Sequence, residues 1–301
     1  MKEPFFSIVI TAYNTEKYIK QCICSVINQK LGNCEIIIVD DCSSDNTVKI
    51  AEEFSNRVKI LKSHRNMGVW HSRNQALNVV KGEYVFFLDG DDWIADNALD
   101  LAYKELSKNR VDVLFCPYVV FWQNKNKYRY FNPKYRLKKL RKLKRPFDKK
   151  TPAKILYSTN YEVCTKFYKR SFLLENNIKF KELKYAEDLP FYYEVLFFAK
   201  SFSYLKKPCY FYRKGHKGLL TNSISDGLSR ALLMSREYSL GIEEIFYKKC
   251  ADLLNYWLIK TNFDEKLYTF AKEFCKGAIV PKNSHYLQLK YKIYSKILEL
   301  I

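Results

Sequence analysis

Several signatures are missing from this 301-residue sequence, and each absence removes a class of function. No cysteines have the C-x-x-C spacing of zinc or redox motifs. The nine present, at 22, 24, 34, 42, 116, 164, 209, 250 and 275, are odd in number. Neither a zinc site nor a disulfide framework is indicated, and a reducing cytoplasm is expected. No stretch reaches the apolar length that spans a bilayer. The start, Met1-Lys2-Glu3-Pro4, leads into a short strand rather than a signal peptide. The first strand-to-helix turn carries no G-x-G-x-x-G, which disfavours a dinucleotide-dependent oxidoreductase. Internal repeats and low-complexity linkers are absent as well.

Acid is also in deficit: 52 Lys and Arg against 32 Asp and Glu give a formal charge of +20. That imbalance predicts an anionic partner. Much of it is local, because residues 134–150 hold ten Lys or Arg and one acid, Asp148. Leu137, Leu140 and Leu143 recur every three residues in that run, a pattern that suits a cationic amphipathic segment on an anionic membrane surface. A solvated loop satisfies the same pattern. No recognised nucleic-acid motif accompanies the charge, so nucleic acid is not the expected partner.

Hydrophobic residues at 48% and aromatics at 16% provide for a substantial core. From residue 5 to 117, strand-like runs alternate with helical patterns, which predicts βαβ units and a mostly parallel sheet. Strands are expected at Phe6–Thr11, Glu35–Asp40, Val58–Ser63, Tyr84–Leu88 and Asp112–Pro117. Helices are expected at Glu16–Asn28, Asp45–Ser55, Val69–Val80 and Asn97–Lys108, with Ser44 or Asp45 capping the second. Residues 151–213 read as mixed, with a helix at Leu189–Lys200. From Ile224 onward the pattern is helical.

The fourth strand runs straight into Asp89-Gly90-Asp91-Asp92. Carboxylates separated by one residue can turn toward one hard cation, Mg²⁺ or Mn²⁺, and Gly90 lets the chain bend between them. Taken alone, such a stretch is an ordinary acidic turn. It does not stand alone, however. The first strand ends in Thr11-Ala12-Tyr13-Asn14 and the second in Asp40-Asp41-Cys42-Ser43-Ser44-Asp45. In a parallel sheet these ends share one edge, where α/β folds bind ligands.

In order and spacing, these segments, with Asn66-Met67-Gly68 between them, resemble glycosyltransferase family 2 enzymes of the GT-A fold. The likeness covers about residues 5–120. It implies that Thr11, Ala12, Tyr13, Asn14, Asp40, Asp41, Asn66 and Gly90 lie around a nucleotide or its donor sugar. Arg73, on the helix after the third strand, is placed to face the same nucleotide or donor sugar, and a surface salt bridge satisfies its position equally. It also implies that Asp89 and Asp91 hold a divalent metal, Mn²⁺ or Mg²⁺, on the diphosphate. In the second half, Lys166–Phe172, Tyr185-Ala186-Glu187-Asp188-Leu189-Pro190-Phe191 and Tyr210–Arg213 resemble the subset of that family with a Glu-Asp pair on the acceptor side. By that resemblance Asp188 is the catalytic base. Glu187 is expected to position the acceptor or the base rather than share that role. Carboxylates in a first helical turn also have a purely structural role. Arg213 and His216 are candidates to close over the diphosphate, with His216 a possible further metal ligand.

The resemblance implies an inverting, metal-dependent transferase that uses a nucleotide diphosphate sugar, a UDP-sugar first of all. The expected acceptor is a glycan or lipid-linked glycan of the bacterial surface, met at the inner face of the cytoplasmic membrane. A non-catalytic nucleotide-sugar or anionic-glycan binding protein of the same fold is the alternative. The expected organisation is a donor half at 1–120, an acceptor half at 121–223 and a helical region at 224–301.

Overall fold

The computed structural model describes residues 3–129, 143–148, 159, 161–215, 224–236 and 269–270. An eight-stranded sheet runs in the order β3-β2-β1-β4-β10-β6-β11-β9. Its parallel part comprises β1 (Phe6–Ala12), β2 (Cys34–Asp40), β3 (Lys59–Lys62) and β4 (Tyr84–Asp89). Helices α1 (Ile19–Ile27), α2 (Thr47–Glu52) and α3 (Val69–Leu77) make the crossovers. The runs of β1, β2 and β4 are apolar without strict alternation because both faces of this sheet are covered. Val9, Ile37, Val39, Val85 and Phe87 face one core, and Ile8, Ile10, Ile38, Phe86 and Leu88 face the other.

Beyond β4 the sheet changes character. β10 (Lys166–Lys169) lies antiparallel between β4 and β6 (Val113–Phe115), and β11 (Ser201–Tyr204) continues parallel to β6. A short strand, β9 (Phe147–Asp148), closes the edge. The strand expected at Asp112–Pro117 therefore ends at Phe115, and the chain passes Cys116-Pro117 into a second sheet. That sheet runs β5 (Trp93–Ile94), β12 (Tyr210–Lys214), β7 (Tyr118–Trp122), β8 (Lys127–Arg129). Helix α4 (Ala98–Lys108) lies between β5 and β6.

Helix α5 (Arg170–Glu175) follows β10, and α6 (Asp188–Phe198) starts at the second residue of the Glu-Asp pair. α7 (Ile224–Arg236) packs on α6 through Leu228, Ala231 and Leu232. Among the described residues no helix is long and apolar enough to cross a membrane. The basic run lies largely outside the described residues, as do His216 and most of the region after Arg236.

Three helices begin later than periodicity predicts: α1 at Ile19, α2 at Thr47 and α4 at Ala98. Asn46, not Ser44 or Asp45, is the residue before α2, and its side chain makes no capping bond. Asp45 still serves that end: its Oδ1 accepts from the Thr47 N–H at 2.9 Å and the Thr47 hydroxyl at 2.5 Å.

Candidate active site

The ends of β1, β2 and β4 meet because their register is fixed. Thr11 pairs with Asp89 and Ala12 with Asp40. Each of the first two strands leaves the sheet through a left-handed residue, Asn14 at φ 51° and Cys42 at φ 64°. Their loops then tie together: the Asn14 carboxamide oxygen accepts from the Ser44 N–H at 2.8 Å, and the Asn14 N–H donates to the Ser43 hydroxyl at 2.9 Å. Tyr13 is exposed beside them, and Asn66 is exposed on the loop after β3.

The two aspartates of the β2 end act locally. Buried Asp40 accepts from the Ser43 N–H at 2.9 Å and the Ser43 hydroxyl at 2.5 Å. Asp41 accepts from the N–H groups of Met67 at 2.9 Å and Gly68 at 2.7 Å, one on each oxygen. Gly68, at φ 90°, is the residue that turns the loop into α3. Asp41 thus shapes the wall of the site by holding the entry to α3.

The Asp89-Gly90-Asp91 turn is pressed against the end of β1. The Gly90 N–H donates to the Thr11 carbonyl at 2.8 Å, and a Cβ at Gly90 would stand 2.9 Å from that oxygen. Only glycine fits this approach. Asp92 is fully buried behind the turn. Its carboxylate accepts from the Tyr210 hydroxyl and, at 2.6 Å, from the Arg213 N–H. Burial, then the charges of Asp91 and Asp89, push its carboxyl well above the usual range. Asp92 therefore fastens the turn to β12.

Arg213 does not occupy the loop-closing place expected of it. It is 4% exposed, and its Nε donates to the Asp91 carbonyl at 2.7 Å, Nη1 to Gln123 at 2.6 Å and Nη2 to Gln21 at 2.7 Å. The rings of Trp93 and Tyr18 flank the guanidinium at 4.6 and 4.7 Å. A side chain so engaged supports the turn from behind; burial of a cation demands such partners.

The centre of the site is Arg73, which is only 3% exposed. Its Nη2 donates to Asp89 at 3.0 Å, and its Nη1 donates to Asp188 at 2.6 Å and to Glu187 at 2.9 Å. Burial works against the charged guanidinium, but Asp188, Asp89 and Glu187 outweigh it, and the net shift is upward. The guanidinium lies over the ring of Phe180 at 5.2 Å, and that ring stacks on Phe191 of α6 at 4.0 Å. The neighbouring Asn74 exchanges both amide bonds with the Phe180 backbone, at 2.8 and 2.9 Å. Two consecutive residues of α3 thereby hold the segment that delivers Glu187 and Asp188. Ala186, at φ 59°, makes the last turn before them, a conformation costly for a residue with a Cβ.

Around this guanidinium the carboxylates differ. Both hydrogen bonds to Asp89, from Arg73 and from the Thr11 hydroxyl at 3.3 Å, fall on Oδ1. Burial raises the Asp89 carboxyl, Arg73 lowers it and Asp91 raises it again, with a net rise. Glu187 is pushed up to about 8 by burial and then by Asp188, against the pull of Arg73. The second oxygen of Asp188 accepts from the Val163 N–H at 3.1 Å. Spacing alone does not reveal this meeting of residues 73, 89, 187 and 188. One signal was available: Arg73, Ala76, Leu77 and Val80 follow the i, i+3, i+4, i+7 rule, so this arginine sits on an apolar helix face and must find buried acids.

Could the turn take a divalent cation? Among the described residues no three His, Cys, Asp or Glu side chains converge as a ready metal cage. Mg²⁺-type sites do not need one, since such ions keep waters and bind one or two carboxylates plus substrate phosphates. Asp89 and Asp91 fit that role, with Asp89 Oδ2 facing no protein donor among the described residues. Beside them the Thr15 hydroxyl is buried with no hydrogen-bond partner among the described residues, next to the Gly90 cradle.

Known proteins share this fold. The profile of glycosyl transferase family 2 matches residues 7–174. EpsH of Bacillus subtilis is 32% identical over 71% of this chain, a match that spans 62% of EpsH. The poly(ribitol-phosphate) beta-N-acetylglucosaminyltransferase TarS of Staphylococcus aureus is 30% identical over 71% of this chain and 36% of its own length. The chain thus spans less than two thirds of these relatives. The crystal structure of S. aureus TarS 1–349 in complex with UDP superposes with a TM-score of 0.66 at 27% identity, covering 81% of this chain and 70% of that one. The mixed sheet flanked by helices is the GT-A fold, and the chain belongs to glycosyl transferase family 2.

Proposed function

We propose that this protein transfers a sugar from a nucleotide diphosphate sugar to an acceptor hydroxyl, with inversion, using a divalent cation held by Asp89 and Asp91. One observation carries the reading. A single buried guanidinium joins a carboxylate of the metal-type turn, Asp89, to a carboxylate at the start of α6, Asp188, at 3.0 and 2.6 Å. A transferase needs a donor side and an acceptor side within bonding reach of one carbon.

Asp188 accepts the proton of the acceptor hydroxyl as its oxygen bonds to the anomeric carbon. The bond from that carbon to the diphosphate breaks, and the nucleoside diphosphate leaves. Each oxygen of Asp188 already accepts one hydrogen bond and keeps a second lone pair for that proton. A cation on Asp89 and Asp91 supplies charge stabilisation for the departing diphosphate. Glu187, protonated at neutral pH, takes no proton from the acceptor and contributes to its placement. Thr11 and Asp40 stand at the same sheet edge, with Tyr13 and Asn14 on the loop that leaves it, and this is the side assigned to the nucleotide.

UDP is the first nucleotide expected, because a crystallised relative binds it. A surface glycan is the acceptor class expected from TarS, which acts on poly(ribitol-phosphate). Another relative, 28% identical over 82% of this chain, is a cholesterol galactosyltransferase. Acceptor identity thus varies among the relatives, and a lipid-linked glycan at an anionic membrane surface fits the charge of +20. The test is a panel of UDP- and GDP-sugars with Mn²⁺, Mg²⁺ or EDTA, read by release of nucleoside diphosphate. Slow, metal-dependent release from one donor is expected; neither binding nor release with any donor would overturn the proposal.

A further inference from the structure

We infer that Arg73 is a positioning residue that couples the two sides of the site, so that the state of Asp188 sets the affinity of Asp89 and Asp91 for cation and nucleotide. This rests on the nucleotide-sugar reading above and goes beyond it. That reading needs two sides; it does not require them to sense each other.

The geometry gives them a shared partner. Arg73 divides its donors among three carboxylates, and it is seated so that it cannot withdraw. Phe180 lies under the guanidinium at 5.2 Å, Phe87 of β4 at 6.0 Å, and Phe191 of α6 stacks behind Phe180. The Arg73 Nε is buried with no hydrogen-bond partner among the described residues, so the guanidinium keeps an unused donor while Nη1 is shared between Asp188 and Glu187. A donor shared in this way is subject to competition. When one carboxylate is drawn elsewhere, the guanidinium leans toward the remaining ones.

The direction follows. A cation arriving at Asp89 competes with Arg73 for the same carboxylate. Asp188 favours the cation because its charge, with the neutral Glu187 accepting beside it, holds Arg73 on the acceptor side. Removing the Asp188 charge lets Arg73 commit to Asp89, and cation binding weakens. Linkage makes the effect reciprocal: a bound cation and nucleotide press Arg73 onto Asp188 and hold that carboxylate in place for an acceptor. Donor loading thereby prepares the acceptor side.

A two-by-two comparison separates this from a simple through-space field. The affinity for Mn²⁺ with UDP is measured by calorimetry in the unaltered protein, Asp188→Asn, Arg73→Lys and the double variant. Lysine keeps the buried charge, and with it the fold, but as a point donor it cannot bridge three carboxylates. Circular dichroism confirms that each variant folds. Asp188→Asn is expected to weaken binding about fivefold in the unaltered background and by less than about twofold in the Arg73→Lys background. A factor equal in the two backgrounds, whether large or absent, overturns the coupling while leaving the transferase reading intact. Failure of the unaltered protein to bind Mn²⁺ and UDP overturns both.

Discussion

Glu187 gives the most searching test of the electrostatics around Arg73. Its carboxyl is pushed from the usual glutamate value of 4.5 up to about 8, by burial first and then by Asp188, with Arg73 opposing. In the unfolded chain the group loses its proton near its usual value. Between the two values the unfolded state has released a proton that the folded state retains, so stability falls as pH rises. Each pH unit in that window removes about 1.4 kcal/mol, and from pH 6.5 to 8 the loss is roughly 2 kcal/mol. For a chain of this size that corresponds to about 3 °C in melting temperature. Glu187→Gln keeps the acceptor oxygen for Arg73 and removes the titration. Melting curves in EDTA at pH 6.5 and 8.5 should therefore show the unaltered protein losing a few degrees more than the variant. Parallel losses would refute the assignment of a protonated Glu187 at neutral pH.

Three further changes probe the supports of the site. Gly90→Ala forces a Cβ to 2.9 Å from the Thr11 carbonyl, so the turn must shift; metal-dependent nucleotide release should fall at least about tenfold, with a stability cost of about 1–3 kcal/mol in denaturant titration. Arg213→Ala strips hydrogen bonds from the Asp91 carbonyl, Gln21 and Gln123 and should lower stability by about 2–4 kcal/mol, whereas a residue that only closed over ligand would leave the melting temperature unchanged. Asp188→Asn should cut transfer by about 10²-fold or more while Mn²⁺ and UDP still bind, measured by product formation beside calorimetry.

How much of this could be read from the chain alone follows from which interactions are local. The ends of β1, β2 and β4 were legible because strands covered on both faces write long apolar runs, and each run stops where a polar turn begins. The Glu-Asp pair was legible as a helix start, since α6 opens at Asp188. β10 was not, because Lys166–Lys169 becomes a central strand only through pairing with segments far away in sequence. The role of Arg213 was hidden for the same reason: its partners lie at residues 21, 91 and 123. A cationic residue after an aromatic strand reads as a surface loop until the fold buries it. His216 lies outside the described residues, so its expected part as loop or metal ligand stands as a sequence expectation.

The central claim is that the cluster around Arg73 is a sugar-transfer site loaded through Asp89 and Asp91. Its most direct test is Mn²⁺-dependent release of nucleoside diphosphate from a donor panel, compared between the unaltered protein and Asp91→Asn. Release from at least one donor is expected of the unaltered protein, and a loss of about 10²-fold or more of the variant, with its fold preserved. Equal release by Asp91→Asn would contradict the claim.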